Sequence, residues 1–469
     1  MACVIAAPAS GSGKTLVSLA ITSWARKREM SLQPFKVGPD YLDSQLLAAA
    51  AGRPCRNLDT VLCGDGWVRA CFHCHAPRAD LALIEGVMGL FDGVGSSQEG
   101  STADVALLLN LPVILVIDAN GQVQSLAALV CGFRDRKPEL KLAGVVVNRV
   151  TSKRHGQLLE EVLNGIGMPM LGCLPREPVL ELPSRYLGLV PAHELKDLNH
   201  RLNALEALVN NHLDFEQLIP ILRSPTVGGP DPIATWAAGA LPSSTLKTTK
   251  RNLAIALAED EAFHFQYVET RECLEAIGIK PLTWSPLADE KIPAAAAGLF
   301  LPGGFPEQHA ARLSECYRSL EELRHWFYHR PLYAECGGML LLGKSLRDLE
   351  GKSHPMAGLL PFEAQCGSLQ VGYRTMKPLK DGLLVRAGEA WRGHEFHRWQ
   401  LRGVSSGLSS SKLEVQELWQ VKGWRSGVVH EGWSLPTALH ASWIHLHWAS
   451  CSTIPYRWRA AVAAVRTDS

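Results

Sequence analysis

The sequence predicts a two-domain α/β protein, and three observations carry that reading. Up to about residue 220, short runs of Val, Ile and Leu alternate with amphipathic stretches, the pattern of buried parallel strands covered by helices. Ser224 to Lys250 then follows neither a helical nor a strand period and is rich in Pro, Gly, Ser, Thr and Ala, so it reads as a linker. From Asn252 the strand-like runs resume, and a chain of 469 residues exceeds what one core needs. The expected division is a first domain over 1–222, a linker over 223–250 and a second domain over 251–469.

Composition excludes several classes. With 46% hydrophobic and 20% charged residues the chain is neither disordered nor fibrous. A formal charge of +1 gives no global basic field, so neither nucleic acid nor a membrane surface is an expected partner, and any anionic ligand must be held locally. The longest apolar run, Val105 to Ile117, is interrupted by Asn110 and Pro112 and is too short to span a bilayer. Met1 to Ala7 lacks a basic start and runs into a glycine-rich loop, which suits a first strand better than a signal peptide and implies a cytoplasmic protein. Its 12 cysteines then read as reduced thiols.

The elements follow in order. Cys3 to Ala7 is the first strand and Leu16 to Lys27 a helical stretch; between them lies Pro8-Ala9-Ser10-Gly11-Ser12-Gly13-Lys14-Thr15. Gly11 and Gly13 let the backbone curl so that amides, including that of Ser12, face an anion. Lys14 reaches terminal phosphates and the Thr15 hydroxyl can hold magnesium. Pro8 replaces the usual first glycine, but strand, loop, Gly-Lys-Thr and helix keep the required order, and ATP or GTP is the expected ligand. Magnesium needs oxygen donors. Asp40 and Asp43 follow a Gly-Pro turn after a short strand, and Glu85 closes the strand Leu81 to Ile84 at the sheet edge where open α/β folds bind ligands. Two more buried strands, Val113 to Ile117 and Gly144 to Val147, complete the sheet. Cys71-Phe72-His73-Cys74-His75 mimics a haem attachment or, with Cys63, a zinc cluster. Without a second ligand pair or export features, a helix with incidental cysteines is the better reading.

In the second domain, strands are expected at Leu253 to Leu257, Gly298 to Leu301 and Pro331 to Ala334. The third runs into Glu335-Cys336-Gly337-Gly338-Met339, a strand, an abrupt small-residue turn and a helix opening: a nucleophile elbow. A thiol there gains from the helix dipole and a nearby histidine, which favour the thiolate, while adjacent amides such as that of Gly337 can face an oxyanion. The plain alternative is a buried structural cysteine. His445 and His447 in Ala441 to Trp448 compete as the partner base, and a core histidine is the plainer reading of His447. Gly303 and Gly304 end another strand with bare backbone that can approach a carbonyl. Arg392-Gly393-His394-Glu395-Phe396-His397 concentrates charge and imidazole, and no catalytic role is assigned to it.

The stretches PASGSGKT, FKVGPDYLD, LIEGVMGLFDG, GSTADVA and GVVVNRV between Pro8 and Val150, followed in order by the motifs of the second half, resemble the cobyrinic acid a,c-diamide synthase family. The resemblance implies a dethiobiotin-synthetase type of phosphate-loop sheet followed by a domain like the class I glutamine amidotransferases. It implies ATP- and magnesium-dependent amidation of two corrinoid carboxylates, with glutamine as nitrogen donor. It places Asp40, Tyr41 and Glu85 at the substrate and metal end, Asn148 at the base-recognition position, Cys336 and His445 as nucleophile and base, and Gly303 and Gly304 on the oxyanion side. Asp43 carries over as well. The chain departs from the family at Ser44-Gln45-Leu46, at Tyr186 where a histidine is common, and at His447, where triad glutaminases often have the glutamate that orients the base.

Phosphorylating a carboxylate replaces an oxide leaving group by phosphate, so the expected intermediate is an acyl phosphate attacked by ammonia that Cys336 releases from glutamine. Rival acceptors are hydrogenobyrinate and other tetrapyrrole acids. A nucleotide-switched partitioning ATPase is the rival of a different class; Ala9, where such switches carry lysine, and the second domain both speak against it. Self-association is left open.

Overall fold

Alternation of apolar side chains along each strand builds the first sheet. A computed structural model describes residues 1–177, 183–185, 188–240, 253–327, 329–403, 415–424 and 426–465. Strands β1 (Cys3–Ala6), β2 (Leu32–Val37), β3 (Arg56–Leu58), β4 (Leu81–Glu85), β5 (Val113–Asp118), β6 (Leu142–Val150) and β7 (Met170–Pro175) pair in parallel in the order β3-β2-β4-β1-β5-β6-β7. Val4, Ala6, Ala82, Ile84, Val113, Leu115 and Ile117 enter one hydrophobic core, and their neighbours Cys3, Ile5, Leu81, Leu83, Ile114 and Val116 enter another. A sheet buried on both faces requires continuous apolar strands, which is why these runs were readable. The order reverses around β1 and β4: the chain runs one way to reach β2 and the other way to reach β5. Their carboxyl ends therefore border the crevice in which open α/β sheets bind ligands.

Helix α1 (Lys14–Lys27) starts in that crevice and ends on Arg26 and Lys27, cations placed favourably at its carboxyl end. The helix Gly64–His75 carries Cys71, Cys74 and His75; both cysteines are buried in this helix, and Arg78 donates to Cys74 Sγ at 2.9 Å. A short pair, β8 (Ser184–Arg185) and β9 (Gly188–Leu189), follows β7, while Leu182, Tyr186 and Leu187 lie outside the described residues. The segment read as a linker contains the helix Pro232–Ala240, since its alanines favour helix without any apolar stripe to announce one. The chain divides into two compact units, Met1–Pro232 and Ile233–Ser469.

The second unit has a parallel part and an antiparallel part. β10 (Leu253–Ala258), β11 (Ile279–Trp284), β12 (Gly298–Leu301), β13 (Leu332–Glu335) and, from the far end of the unit, β20 (Leu439–Ser442) pair in parallel in the order β11-β10-β12-β13-β20. The sheet continues through β19 (Val429–Leu435) and β18 (Gln416–Lys422) to β16 (Glu363–Pro378), which also pairs with β17 (Trp391–Arg402) and leads to β14 (Ser345–Arg347) and β15 (Ser353–Pro355). Within this α/β half, Ser345–Leu435 forms long, mostly antiparallel strands in place of the βα alternation. Half of each strand faces solvent, so these segments lack the apolar runs that announce a buried strand. Among the described residues no helix is long and apolar enough to cross a membrane.

Candidate active site

In the first unit the loop after β1 and the amino end of α1 form the wall of a cavity of about 860 Å³. Ser10, Gly11, Gly13, Lys14, Thr15, Lys36, Asp40, Asp43, Asp118 and Asn148 are among its lining residues. Gly11 and Gly13 hold φ of 79° and 112°, conformations that side chains rarely adopt. A methyl group on Gly13 would also stand 2.3 Å from Asn148 Nδ2. That amide donates to Ser12 O at 3.0 Å, so Asn148 near the end of β6 buttresses the loop. Lys14 donates to Met88 O at 2.6 Å, and burial, with Lys36 nearby, lowers its pKa to about 8.

Beside Lys14 lies a buried cluster that the sequence only half revealed. Parallel register between β2 and β4 sets Lys36 next to Glu85. The Lys36 ammonium donates to Glu85 Oε1 at 2.8 Å, to Asp43 Oδ2 at 2.7 Å and to Gly86 O at 3.1 Å. Thr15 donates to the same Glu85 oxygen at 2.7 Å. The Lys36 side chain is 2% exposed and that of Glu85 0%. Burial favours neutral Lys36, yet the two carboxylates hold its pKa well above the ordinary value. Burial pushes Glu85 up despite Lys36, whereas at Asp43 burial is outweighed by Lys36 together with Glu85 and Lys14, which hold it down. Asp40 accepts from the Asp43 amide at 2.8 Å and is raised to about 7 by burial and by the Asp43 charge. No role had been assigned to Lys36. The available signal was a lysine in the apolar run Phe35-Lys36-Val37, since an ammonium so placed must find carboxylates.

Several predicted residues sit behind the cavity wall. Glu85 reaches the site through Thr15 and Lys36 and does not itself line the cavity; Tyr41, buried at the start of the helix Leu42–Ala51, and Ser12 do not line it either. Glu85 Oε2 is buried with no hydrogen-bond partner among the described residues. An unpartnered carboxylate oxygen beside the Thr15 hydroxyl and Asp43 forms an all-oxygen donor set, which suits a hard divalent cation completed by phosphate oxygens. Among the described residues no group of three His, Cys, Asp or Glu side chains forms a closed metal cage.

In the second unit, strand register performs the assembly. β12, β13 and β20 lie side by side and parallel, with Leu301 opposite Ala334, Ala334 opposite Ala441 and Glu335 opposite Ser442. Their carboxyl ends therefore deliver Gly303-Gly304, Cys336 and His445 to one place, although these residues span much of the unit's sequence. Cys336 adopts φ 45°, the strained elbow, and its amide donates to Ser442 O at 2.7 Å. A methyl group on Gly303 would stand 2.5 Å from His445 Cε1, and one on Gly337 3.0 Å from Gly304 N. The imidazole and the elbow thus pack against the same glycine pair. β17 closes another side: Cys336 Sγ lies 3.7 Å from Phe396 O, while His394 and His445 exchange backbone hydrogen bonds of 2.8 and 3.0 Å. The segment Arg392–His397 is thereby part of this pocket's wall.

One expectation is corrected. The Cys336 thiol is not lowered toward the thiolate but raised well above its ordinary value. Burial is the main cause; the Gly337 amide lowers it, but Glu307, Glu335 and Glu395 add opposing negative charge. The following helix, Gly337–Leu340, is a single turn with little dipole to offer. His447 is 1% exposed, packs at a tilt on Tyr267 with centroids 4.4 Å apart and is lowered to about 3 by burial, which places it in the core.

Comparison with known proteins agrees with both halves. A family model described as the CobQ/CobB/MinD/ParA nucleotide binding domain matches residues 3–190, and the CobB/CobQ-like glutamine amidotransferase domain matches residues 254–452. The cobyrinate a,c-diamide synthase of Gloeobacter violaceus is 43% identical over 457 residues, covering 96% of this chain and 94% of that protein. That of a Synechococcus strain is 39% identical and covers 95% of each. The hydrogenobyrinate a,c-diamide synthase of Streptomyces coelicolor is also 39% identical, covering 95% of this chain and 94% of that protein. With a nucleotide-binding unit, an amidotransferase unit and full-length relatives that share their order, the chain belongs to the cobyrinate a,c-diamide synthase family.

Proposed function

We propose that this chain amidates the a and c side-chain carboxylates of cobyrinate in cobalamin biosynthesis, consuming ATP and taking ammonia from glutamine. The observation that carries the reading is the presence, in one chain, of a phosphate-loop cavity walled by Lys14, Thr15 and carboxylates and of a strained Cys336 elbow meeting His445. The working division is an amidoligase domain over 1–222, a linker over 223–250 and a glutamine amidotransferase domain over 251–469.

In the first unit the amides of Gly11 to Thr15 cradle the phosphates of ATP, Asn148 supports the loop and meets the base, and Lys14 draws charge from the transferring phosphoryl group. Magnesium would be held by Thr15, Asp40 and Glu85 with Asp43 beside them, and would neutralise phosphate charge. A substrate carboxylate oxygen attacks the γ-phosphorus, ADP leaves, and an acyl phosphate results. Ammonia then attacks the acyl carbon and expels phosphate. Tyr41 is assigned to substrate binding by the family resemblance of the Asp40 turn.

In the second unit, Cys336 attacks the side-chain amide of glutamine. Because its thiol is held neutral at rest, the proton passes to His445 as the bond forms and from there to departing ammonia. Water hydrolyses the thioester to glutamate. Gly303, Gly304 and Gly337 supply the bare backbone around the oxyanion. Cys336→Ala tests the reading: glutamine-supported amidation is lost and ammonium-supported amidation is kept. Equal loss of both would refute two separate chemistries. Relatives named for hydrogenobyrinate at comparable identity favour a second acceptor, and offering cobyrinate and hydrogenobyrinate in turn, with amide formation followed by mass, decides between them.

A further inference from the structure

We propose that Glu335, the residue immediately before the nucleophile, is the positioning carboxylate of the glutaminase site, holding the His445 imidazole through Nδ1. This rests on the reading of Cys336 and His445 as nucleophile and base. Glu335 Oε2 lies 3.3 Å from His445 Nδ1, with the Glu335 side chain 5% exposed and that of His445 0%. The other oxygen, Oε1, accepts from the Leu446 amide at 3.1 Å and from the Tyr333 hydroxyl. Two donors, one on β13 and one on the loop after β20, anchor Oε1 and leave Oε2 directed at the imidazole. An acceptor on Nδ1 fixes the tautomer whose Nε2 takes a proton, and its negative charge stabilises the imidazolium once that proton arrives.

The two residues after His445 cannot play this part. Leu446 is apolar, and His447 turns away to Tyr267 and to Glu269, whose Oε2 lies 3.8 Å from its Nε2. Other nearby carboxylates are engaged elsewhere. Glu395 binds His397 at 2.7 Å and pairs with Arg374, and Glu431 accepts from Ser442 Oγ at 2.6 Å, the Trp443 amide at 2.7 Å and Trp419 Nε1 at 2.8 Å. Strand register explains how a residue adjacent to the nucleophile reaches the base. Glu335 and Cys336 straddle the end of β13, so the strand's last side chain meets the loop leaving β20 while the elbow turns the thiol elsewhere.

The test uses the full chain and the variants Glu335→Gln, Cys336→Ala and Tyr333→Phe. Glutamate release, amidation with glutamine and amidation with ammonium are measured, together with the pH dependence of Cys336 alkylation by iodoacetamide, read by peptide mass. The carboxylates acting on the thiol are Glu307, Glu335 and Glu395, while His445 packs on Gly303 beside the elbow with His394 next to it. Glu335→Gln keeps the shape and removes the charge. The expected result is a glutamine-supported kcat lower by on the order of 10²–10⁴-fold, a displaced pH profile of alkylation and ammonium-supported turnover retained. Glutamine turnover within threefold of the parent, with an unchanged alkylation profile, overturns the role of Glu335. If Glu335→Gln does not fold, Tyr333→Phe, which keeps the carboxylate but removes one anchor, must displace the alkylation profile, and an unmoved profile overturns the proposal. Survival of glutamine turnover in Cys336→Ala would sink the nucleophile assignment itself, an outcome distinct from a failure of Glu335 alone.

Discussion

Gly303→Ala is the sharpest probe of the glutaminase pocket because its effect follows from one close approach. The added methyl carbon would stand 2.5 Å from His445 Cε1, 3.3 Å from Nε2 and 3.3 Å from Phe265 Cβ. Carbon atoms in contact sit about 3.5–4.0 Å apart, so the ring must retreat by roughly 1 Å. His445 cannot retreat freely: its backbone is bonded to His394 on both sides and its Nδ1 faces Glu335. A displacement of about 1 Å in a reacting group costs on the order of 10²-fold in rate, or about 2.7 kcal/mol of transition-state stabilisation. The assay compares amide formation with glutamine and with ammonium in the same preparation. Glutamine-supported kcat should fall about 10²-fold while ammonium-supported turnover stays within twofold of the parent. Glutamine turnover retained within threefold would mean that the imidazole beside Gly303 is not the base, and the pocket would have to be rebuilt around another group.

Three further outcomes are expected. Gly13→Ala places a methyl 2.3 Å from Asn148 Nδ2 at φ 112° and should abolish nucleotide binding measured by calorimetry, whereas Gly64→Ala, also at positive φ but open to space, should leave it intact. Lys36→Met removes the cation shared by Glu85 and Asp43 and should destabilise the chain by about 3–5 kcal/mol, read as a lower urea midpoint; an unchanged midpoint would show that the carboxylates do not need the lysine. His440 is buried between Tyr333 and Trp419, neither ring nitrogen has a partner among the described residues, and burial lowers its pKa from 6.5 to about 3. A lowered folded value means that the unfolded chain binds the extra proton, so this contribution is present above pH 6.5 and is lost as pH falls from 6.5 toward 3; at pH 5 the loss is about 2 kcal/mol. His440→Leu should therefore narrow the gap in urea midpoint between pH 7.5 and pH 5, and a gap as wide as the parent's would refute the neutral buried imidazole.

The first unit was legible because a sheet covered on both faces writes itself as apolar runs. Leu81 to Ile84 and Val113 to Ile117 end within one residue of the observed strands, and the phosphate loop sits between strand and helix as read. Lys36 escaped because its importance lies in the register of β2 on β4, which couples residues 36 and 85, and register is not written in local pattern. The second unit was legible at the elbow, where small residues after an apolar strand have one geometric meaning, and illegible along β16 and β17, whose solvent-facing halves look like loops. The same contrast explains the third glutaminase residue. A search outward from His445 along the chain finds Leu446 and His447 and stops, because it assumes that the orienting carboxylate is a neighbour in sequence. Side-by-side parallel pairing of β13 and β20 makes a different neighbour available. The strand that carries the nucleophile ends opposite the strand that leads to the base, so its last side chain is within reach of the imidazole. A carboxylate placed this way moves with the elbow rather than with the histidine, so one backbone segment sets both the thiol and the charge that orients its base.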